Sequence, residues 1–231
     1  MRVDNKSGFT LVELLVVTSM VAVLSVATFV LLNPAELLKQ SRDNTRISNM
    51  GTLMVVLGAY RAELCPNDIG ASSVTYVSIP DTDPTCGNLG LPALTGNLSY
   101  HCSAPDTFRR PDGSGWIPVD FTQISSGAPV SSLPIDPSNA TSSGAYYTFH
   151  PSADGMNWEL TSVLESDKFA SRMIADGGVS DLAYEVGPDL GLAPYDVINR
   201  CDPNATSTPP EGGGDEGGGE VVGVTTTVPQ T

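Results

Sequence analysis

The four cysteines, Cys65, Cys86, Cys102 and Cys201, are the residues whose chemistry the sequence indicates most directly. All of them follow an apolar N-terminal segment. An even number of cysteines in that position is typical of disulfides formed in an oxidising compartment. Three pairings are possible. We favour Cys86 with Cys102, which closes a loop of about 15 residues and would contribute about 3 kcal/mol; this leaves Cys65 with Cys201.

Zinc binding is the alternative use of these cysteines, with His101 beside Cys102 as a further ligand. Structural zinc sites usually place two cysteines close together in a C-x-x-C pattern. The sequence contains no such pair, and its cysteine spacings are irregular. The pattern therefore favours disulfides over zinc.

Residues that could support catalysis do not form a known catalytic motif. The Gly-Ser-Gly segment at 113–115 lacks the context of a nucleophile elbow. The sequence has no phosphate-binding loop and no paired-histidine metal motif. His101 and His150 are isolated, and Asp81 and Asp83 lie in a proline-bounded loop. We therefore predict that the protein is not an enzyme.

The overall charge of the protein argues against nucleic acid as a general partner. The chain has 231 residues and a formal net charge of -15. So acidic a protein repels phosphate groups, and its basic residues are not clustered enough to reverse this locally. We therefore expect no general binding to nucleic acid. The length suits one domain or one domain with appendages.

A single carboxylate, Glu13, lies in the apolar run from residue 9 to residue 32. As a helix this run would be about 36 Å long, enough to span a bilayer core. An unpaired glutamate at membrane depth costs about 2.5 to 3.5 kcal/mol. A plain membrane anchor would therefore leave Glu13 unexplained.

A removable secretory signal is a second interpretation of the N-terminus. The start is basic, the middle is apolar, and Ser25-Val26-Ala27 would allow a cut after Ala27. The product would be a soluble secreted binding protein. Against this, Glu13 interrupts the apolar core, and apolar residues continue beyond the cut to Leu32.

A third interpretation accounts for Glu13. Residues 8–17, Gly-Phe-Thr-Leu-Val-Glu-Leu-Leu-Val-Val, follow a short basic leader and open a long apolar helix. This segment resembles the signal of type IV pilins and pseudopilins. The resemblance implies that prepilin peptidase cuts between Gly8 and Phe9, that Phe9 becomes N-methylated, and that the apolar helix is retained. It also implies that Glu13 pairs with the N-terminal amine of a neighbouring subunit during assembly.

The resemblance further implies a location and a set of partners. The subunit would be held in the cytoplasmic membrane by its N-terminal helix, in contact with lipid, with the head exported. It would then join copies of itself or related pilins at an inner-membrane assembly platform. The product would be an extracellular filament or, alternatively, the periplasmic pseudopilus of a type II secretion system.

A calcium site is also implied, because a loop of the major pseudopilins binds this ion. The corresponding candidates here are Asp176, Ser180 and Asp181. Hard oxygen ligands at close spacing suit Ca²⁺. No EF-hand loop is present, and an Asp-Gly-Gly sequence is usually a simple turn. No other cofactor is expected.

The elements that carry these residues begin with a long helix. After the leader (1–8) and the apolar half (9–32), apolar residues continue at helical spacing through an amphipathic half (33–64). Pro34 predicts a kink between the halves. The apolar stripe is expected to pack on a head, with Arg42, Asp43 and Arg46 among the polar residues of the other side.

The rest of the chain predicts a small head and a tail. The head (65–202) divides into a variable loop region (65–136) and a β-sheet region (137–202), and the acidic, Pro/Gly/Thr-rich tail (203–231) is expected to be disordered. A turn at 151–156 predicts an antiparallel hairpin. The predicted fold class is α+β, a long helix packed on a small antiparallel sheet. The predicted strands lie at 74–79, 98–102, 116–121, 144–150, 157–164 and 182–186, with a short helical crossing at 165–173.

Overall fold

The computed structural model of the protein describes residues 8–64, 69–94 and 97–192. These residues form an α+β fold in which helices precede and interrupt a five-stranded sheet. The helices and strands are, in chain order, α1 (Leu11–Leu32), α2 (Pro34–Glu63), β1 (Val74–Val77), β2 (Ser99–Cys102), β3 (Thr148–Pro151), β4 (Trp158–Ser162), α3 (Asp167–Ile174) and β5 (Tyr184–Val186).

The two long helices are separated by one residue, Asn33. Its backbone is left-handed, with φ 40° and ψ 72°, a conformation that asparagine adopts more readily than most residues. Pro34 then takes the first position of α2, where a missing N–H costs no helical hydrogen bond. The predicted interruption near Pro34 is confirmed.

α1 is apolar on all sides, and its side chains are exposed from Leu11 to Val26. A helix with an apolar surface all round is normally buried by other molecules or by lipid. Within the ranges given above, no helix is both long enough and apolar enough to cross a bilayer.

α2 packs on the head through one face. Met50, Leu53, Leu57 and Tyr60 are buried and recur at helical spacing. The predicted apolar stripe is therefore confirmed as the contact between helix and head. The head side chains in the same cluster include Trp116, Ile117, Phe121, Leu133, Tyr147, Phe149 and Leu160.

The sheet has the strand order β2-β1-β3-β4-β5 and is mixed. β3, β4 and β5 pair antiparallel, and the predicted hairpin is present as β3 and β4. β1 pairs antiparallel with β3 but parallel with β2. The predicted antiparallel sheet is therefore confirmed for three of the four strand pairings, and the β1–β2 pairing departs from it. A tight turn would force β1 and β2 to run antiparallel, whereas the long connection through residues 78–98 allows them to run parallel.

The predicted strand at 116–121 is also wrong. This segment is a loop that buries Trp116, Ile117, Val119 and Phe121 in the main core. The backbone N–H of Trp116 donates to Phe108 O (2.7 Å), so the segment bonds to the preceding loop and not to the sheet. The segment is therefore apolar because its side chains are buried in the core, and not because it is a strand with one apolar face.

One predicted disulfide is present. Cys86 and Cys102 are joined, and both are buried beside Val77, Ile79 and Tyr146. The bridge ties the loop after β1 to the end of β2. Cys65 and Cys201 lie outside the described residues, so their pairing stays a prediction.

Candidate processing and assembly site

The N-terminal segment enters α1 through three non-helical residues, Gly8, Phe9 and Thr10. Thr10 is the N-cap of the helix, and its hydroxyl oxygen accepts a hydrogen bond from the backbone N–H of Glu13 (3.3 Å). The first helical bond runs from Leu14 N–H to Thr10 O (3.2 Å). The peptide bond between Gly8 and Phe9 therefore lies just outside the helix, on an exposed segment.

The fold does not require glycine at position 8. A Cβ built on Gly8 would meet no heavy atom of the described residues within 4 Å, and its backbone is not left-handed. Gly187 is different, because a Cβ there would lie 2.1 Å from Trp158 O. A requirement for glycine at position 8 would therefore come from a molecule that acts on this segment.

Glu13 lies in the first turn of α1, exposed among apolar side chains. A carboxylate in this position interacts favourably with the helix dipole. Gly8, Phe9 and Glu13 are thus brought together at the exposed start of one apolar helix. Thr10 was not among the predicted site residues, although Thr-x-x-Glu before an apolar run is the signature of a capping box.

A buried charge network fastens α2 to the head, with Arg46 at its centre. The Arg46 guanidinium donates to Asp136 through Nε (2.6 Å) and Nη2 (3.0 Å), to Asp43 through Nη1 (2.8 Å), and to Glu165. The Arg46, Asp43 and Asp136 side chains are 0 % exposed. Burial alone would lower the pKa of Arg46, but the hydrogen bonds and charge of Asp136 and the hydrogen bonds of Asp43 and Glu165 raise it. Arg46 therefore stays charged.

α3 begins on the same network. The Asp43 carboxylate accepts hydrogen bonds from the N–H groups of Glu165 (3.0 Å) and Ser166 (2.8 Å) and from the Ser166 hydroxyl (2.6 Å). Glu36 accepts from the N–H of Asp167 (3.0 Å). Carboxylates thereby satisfy N–H groups at the start of a helix that have no partner within it. α2 thus holds the chain where it leaves β4 and enters α3.

The prediction that Asp43 and Arg46 lie on the polar side of α2 is therefore wrong. Their partners, Asp136 and Glu165, come 90 to 122 residues later in the chain, beyond the reach of a local pattern. Arg42 does keep contact with solvent. It pairs with Glu165 (2.5 Å), and both side chains are partly exposed.

The calcium candidates are held by other contacts. The two carboxylate oxygens of Asp176 accept hydrogen bonds from Gly178 N–H (2.9 Å) and Glu185 N–H (2.8 Å). Ser180 donates its N–H to Glu185 Oε2 (2.8 Å), and Asp181 is exposed. In the described part of the chain, no three His, Cys, Asp or Glu side chains are grouped to hold a metal. As placed, the candidates do not form an open set of oxygen ligands, and calcium binding stays a prediction.

A buried pair of carboxyl groups lies beneath this loop, and sequence reasoning missed it. Glu185 pairs with Thr161, two residues along β4 from Glu159, so both glutamates project from one face of the sheet. Both are buried, and Glu159 Oε1, Glu159 Oε2 and Glu185 Oε1 have no hydrogen-bond partner among the described residues. Burial, with Glu185 close by, raises the pKa of Glu159 to about 9. Burial raises the pKa of Glu185 as well.

The two histidines occupy ordinary structural positions. His150 lies opposite Glu159 in the β3–β4 register, and its Nδ1 is 3.3 Å from Thr75 Oγ1. Burial lowers the pKa of His150, and it lowers the pKa of His101, which packs edge-on against Tyr76. These contacts anchor the strands.

Comparison with known proteins identifies the N-terminal segment. Residues 4–29 match the prokaryotic N-terminal methylation motif, which is the prepilin signal of type IV pilins and pseudopilins. No curated protein and no solved structure matches the chain significantly. The resemblance predicted from residues 8–17 is confirmed. The chain is pilin-like or pseudopilin-like at its N-terminus. The type IV pilin family is structural rather than catalytic.

Proposed function

We propose that this protein is a structural subunit of a type IV pilus-like extracellular filament. Prepilin peptidase cleaves it between Gly8 and Phe9, and the retained helix α1 packs with other subunits. One observation carries the proposal. The methylation motif coincides with an exposed, non-helical Gly8–Phe9 bond directly before an apolar helix that has Glu13 in its first turn.

Location and partners follow from the same proposal. Before assembly α1 lies in the cytoplasmic membrane with the head exported, which agrees with a buried disulfide in the head. Subunits then enter the filament at an inner-membrane assembly platform. The alternative is the pseudopilus of a type II secretion system, and electron microscopy of cell-surface filaments distinguishes the two.

The outer face of α2 supports packing against other subunits. From residue 44 to residue 62 its exposed residues are all uncharged and mostly small, which is unusual in a chain with net charge -15. Gly51 and Gly58 lie on this side, where a Cβ on either would meet no described atom within 4 Å. Between them, Val55 is 70 % exposed. The exposed positions from 44 to 62 are Asn44, Thr45, Ser48, Gly51, Thr52, Val55, Ala59 and Ala62.

The proposed function is tested by the N-terminus of the protein recovered from cells that express a prepilin peptidase. We expect a mature chain that starts at N-methylated Phe9, identified by intact mass and terminal sequencing. A chain that starts at Thr28 would mean a cut after Ala27, as in a conventional secreted protein. Glu13 would then be discarded with the signal, and the filament proposal would be abandoned.

Replacing Glu13 tests the assembly role. We expect Glu13→Ala to be cleaved and methylated normally but to enter sheared filaments at least about tenfold less, equivalent to about 1.4 kcal/mol of lost pairing. The reason is that a buried amine would be left without its carboxylate. Ser19→Ala is the control, because Ser19 Oγ already donates to Val16 O within the same helix (2.8 Å). Normal incorporation of processed Glu13→Ala subunits would remove this role.

Replacing both glycines of α2 separates folding from assembly. We expect Gly51→Ala with Gly58→Ala to stabilise the subunit by about 0.5 to 1 kcal/mol per site, because alanine favours the helix. The added methyl groups would nevertheless reduce filament yield if helices approach closely there. Thermal unfolding and sheared-filament yield measure the two effects. Ser48→Ala, on the same face, is the control of similar volume. An unchanged filament yield in the double alanine variant would exclude close packing at these glycines.

A further inference from the structure

The start of α1 is set by one local interaction. Thr10 has an extended backbone (φ -81°, ψ 149°), and its hydroxyl oxygen accepts from Glu13 N–H. Glu13 is the third residue of the helix, so Thr10 and Glu13 occupy the two positions of a capping box. A threonine N-cap favours its own helix boundary by about fivefold to thirtyfold over a residue that cannot cap.

No packing contact is available to fix this boundary instead. Phe9 is 79 % exposed, and a Cβ on Gly8 would meet open space among the described residues. The chain upstream of Thr10 is also able to cap a helix, since serine and glycine are both accepted at the N-cap position and Ser7 and Gly8 come next. Loss of the Thr10 cap would therefore move the start of α1 towards the N-terminus.

Such a shift would change the bond that is cut. With Gly8 as the N-cap, the Gly8 carbonyl would accept a helical hydrogen bond from Val12 N–H. The same carbonyl belongs to the peptide bond between Gly8 and Phe9. A peptide bond inside a helix is a poorer substrate than one in an exposed extended segment, which is where proteolysis concentrates.

We infer that Thr10 is a positioning residue for processing: it starts α1 at Leu11 and so keeps the Gly8–Phe9 peptide bond outside the helix and accessible to the peptidase. This inference rests on the proposed function, because it assumes cleavage at that bond. Thr10 acts through the backbone of the segment that precedes it, Gly8–Phe9, and takes no part in bond cleavage itself.

The experiment uses the full-length precursor in membranes that contain a prepilin peptidase. Thr10→Val has the same shape but no hydroxyl, whereas Thr10→Ser and Thr10→Asn can cap. We expect the serine and asparagine variants to be cleaved within about twofold of the wild-type rate and the valine variant to be cleaved about fivefold more slowly. Asparagine differs from threonine in shape but also caps a helix. Normal cleavage of the Thr10→Asn variant would therefore show that capping, and not side-chain shape, determines the cleavage rate.

Amide hydrogen exchange of the precursor in detergent provides the second readout. In the valine variant we expect the amide of Val12 to gain protection as the helix start moves upstream. The amide of Glu13 should stay protected, because its acceptor changes from the Thr10 hydroxyl to Phe9 O. Equal cleavage of the valine and serine variants would overturn the inference alone. If the wild-type precursor were not cut between Gly8 and Phe9, the proposed function would fail, and this inference with it.

Discussion

Replacing Arg46 by alanine is expected to lower the free energy of unfolding by about 3 to 5 kcal/mol. The substitution leaves Asp43 and Asp136 buried without their cation, and removes one of the two arginine partners of Glu165. Uncompensated buried carboxylates are far costlier than the pair interaction that is lost. α2 would also lose its main polar contact with the head.

Urea unfolding of the full chain in detergent measures this effect, with fluorescence of the buried Trp116 and Trp158 as the probe. Arg42→Ala is the matched control, one helical turn earlier on α2. Its pair with Glu165 is partly exposed, so we expect a loss below about 1 kcal/mol. Equal losses in the two variants would show that the Arg46 network does not fasten the head. Arg46→Lys, which keeps the charge, should lie between them.

Much of the helical half could be predicted from the sequence because its signals are local. The apolar run, Pro34 and the stripe through Met50, Leu53 and Leu57 each depend on spacing within one or two turns. The charge network could not be predicted in this way. Arg46 has the same polar character as Arg42, and only the folded head decides which of them is buried.

The sheet shows the same division between local and distant information. The β3–β4 hairpin follows from a turn between two β-prone runs, and it is present. The parallel pairing of β2 depends on where a long loop returns, which no short pattern specifies. At the candidate site, the motif around Gly8 and Glu13 was visible at once. The burial of Glu159 was not, because Trp158-Glu159-Leu160 alternates like a strand with one face in solvent.

The burial of Glu159 leads to the second large effect that we predict, a loss of stability at alkaline pH. The folded pKa of Glu159 is raised to about 9, above the unfolded value of about 4.5. A group with a raised folded pKa supplies its full stability below the unfolded pKa and loses it as pH rises through the folded pKa. Between pH 7 and pH 9 we expect the free energy of unfolding to fall by about 2 kcal/mol.

Between pH 7 and pH 9 the effect of the carboxyl pair on stability can be separated from the effects of the histidines and Tyr147. Burial lowers the pKa values of His101 and His150, so their contribution changes below pH 7 and with the opposite sign. Burial raises the pKa of Tyr147 above its ordinary value of 10.0, so Tyr147 matters only at higher pH. The N-terminal amine and any free cysteine also titrate in this range. The part of the decline that disappears in Glu159→Gln is therefore the part assigned to the carboxyl pair.

Glu159→Gln should flatten this pH profile, because glutamine has nearly the same shape, stays neutral and can donate a hydrogen bond to Glu185. At pH 8 we expect the variant to be more stable than the wild type by about 1 to 3 kcal/mol, measured by urea unfolding in detergent. Asp181→Asn, on the exposed loop nearby, is the control and should keep the wild-type slope. A wild-type stability that does not change between pH 7 and pH 9 would mean that the two carboxyl groups do not retain a proton. If calcium stabilised the wild type but not Glu159→Gln, a cation would occupy the position assigned here to that proton.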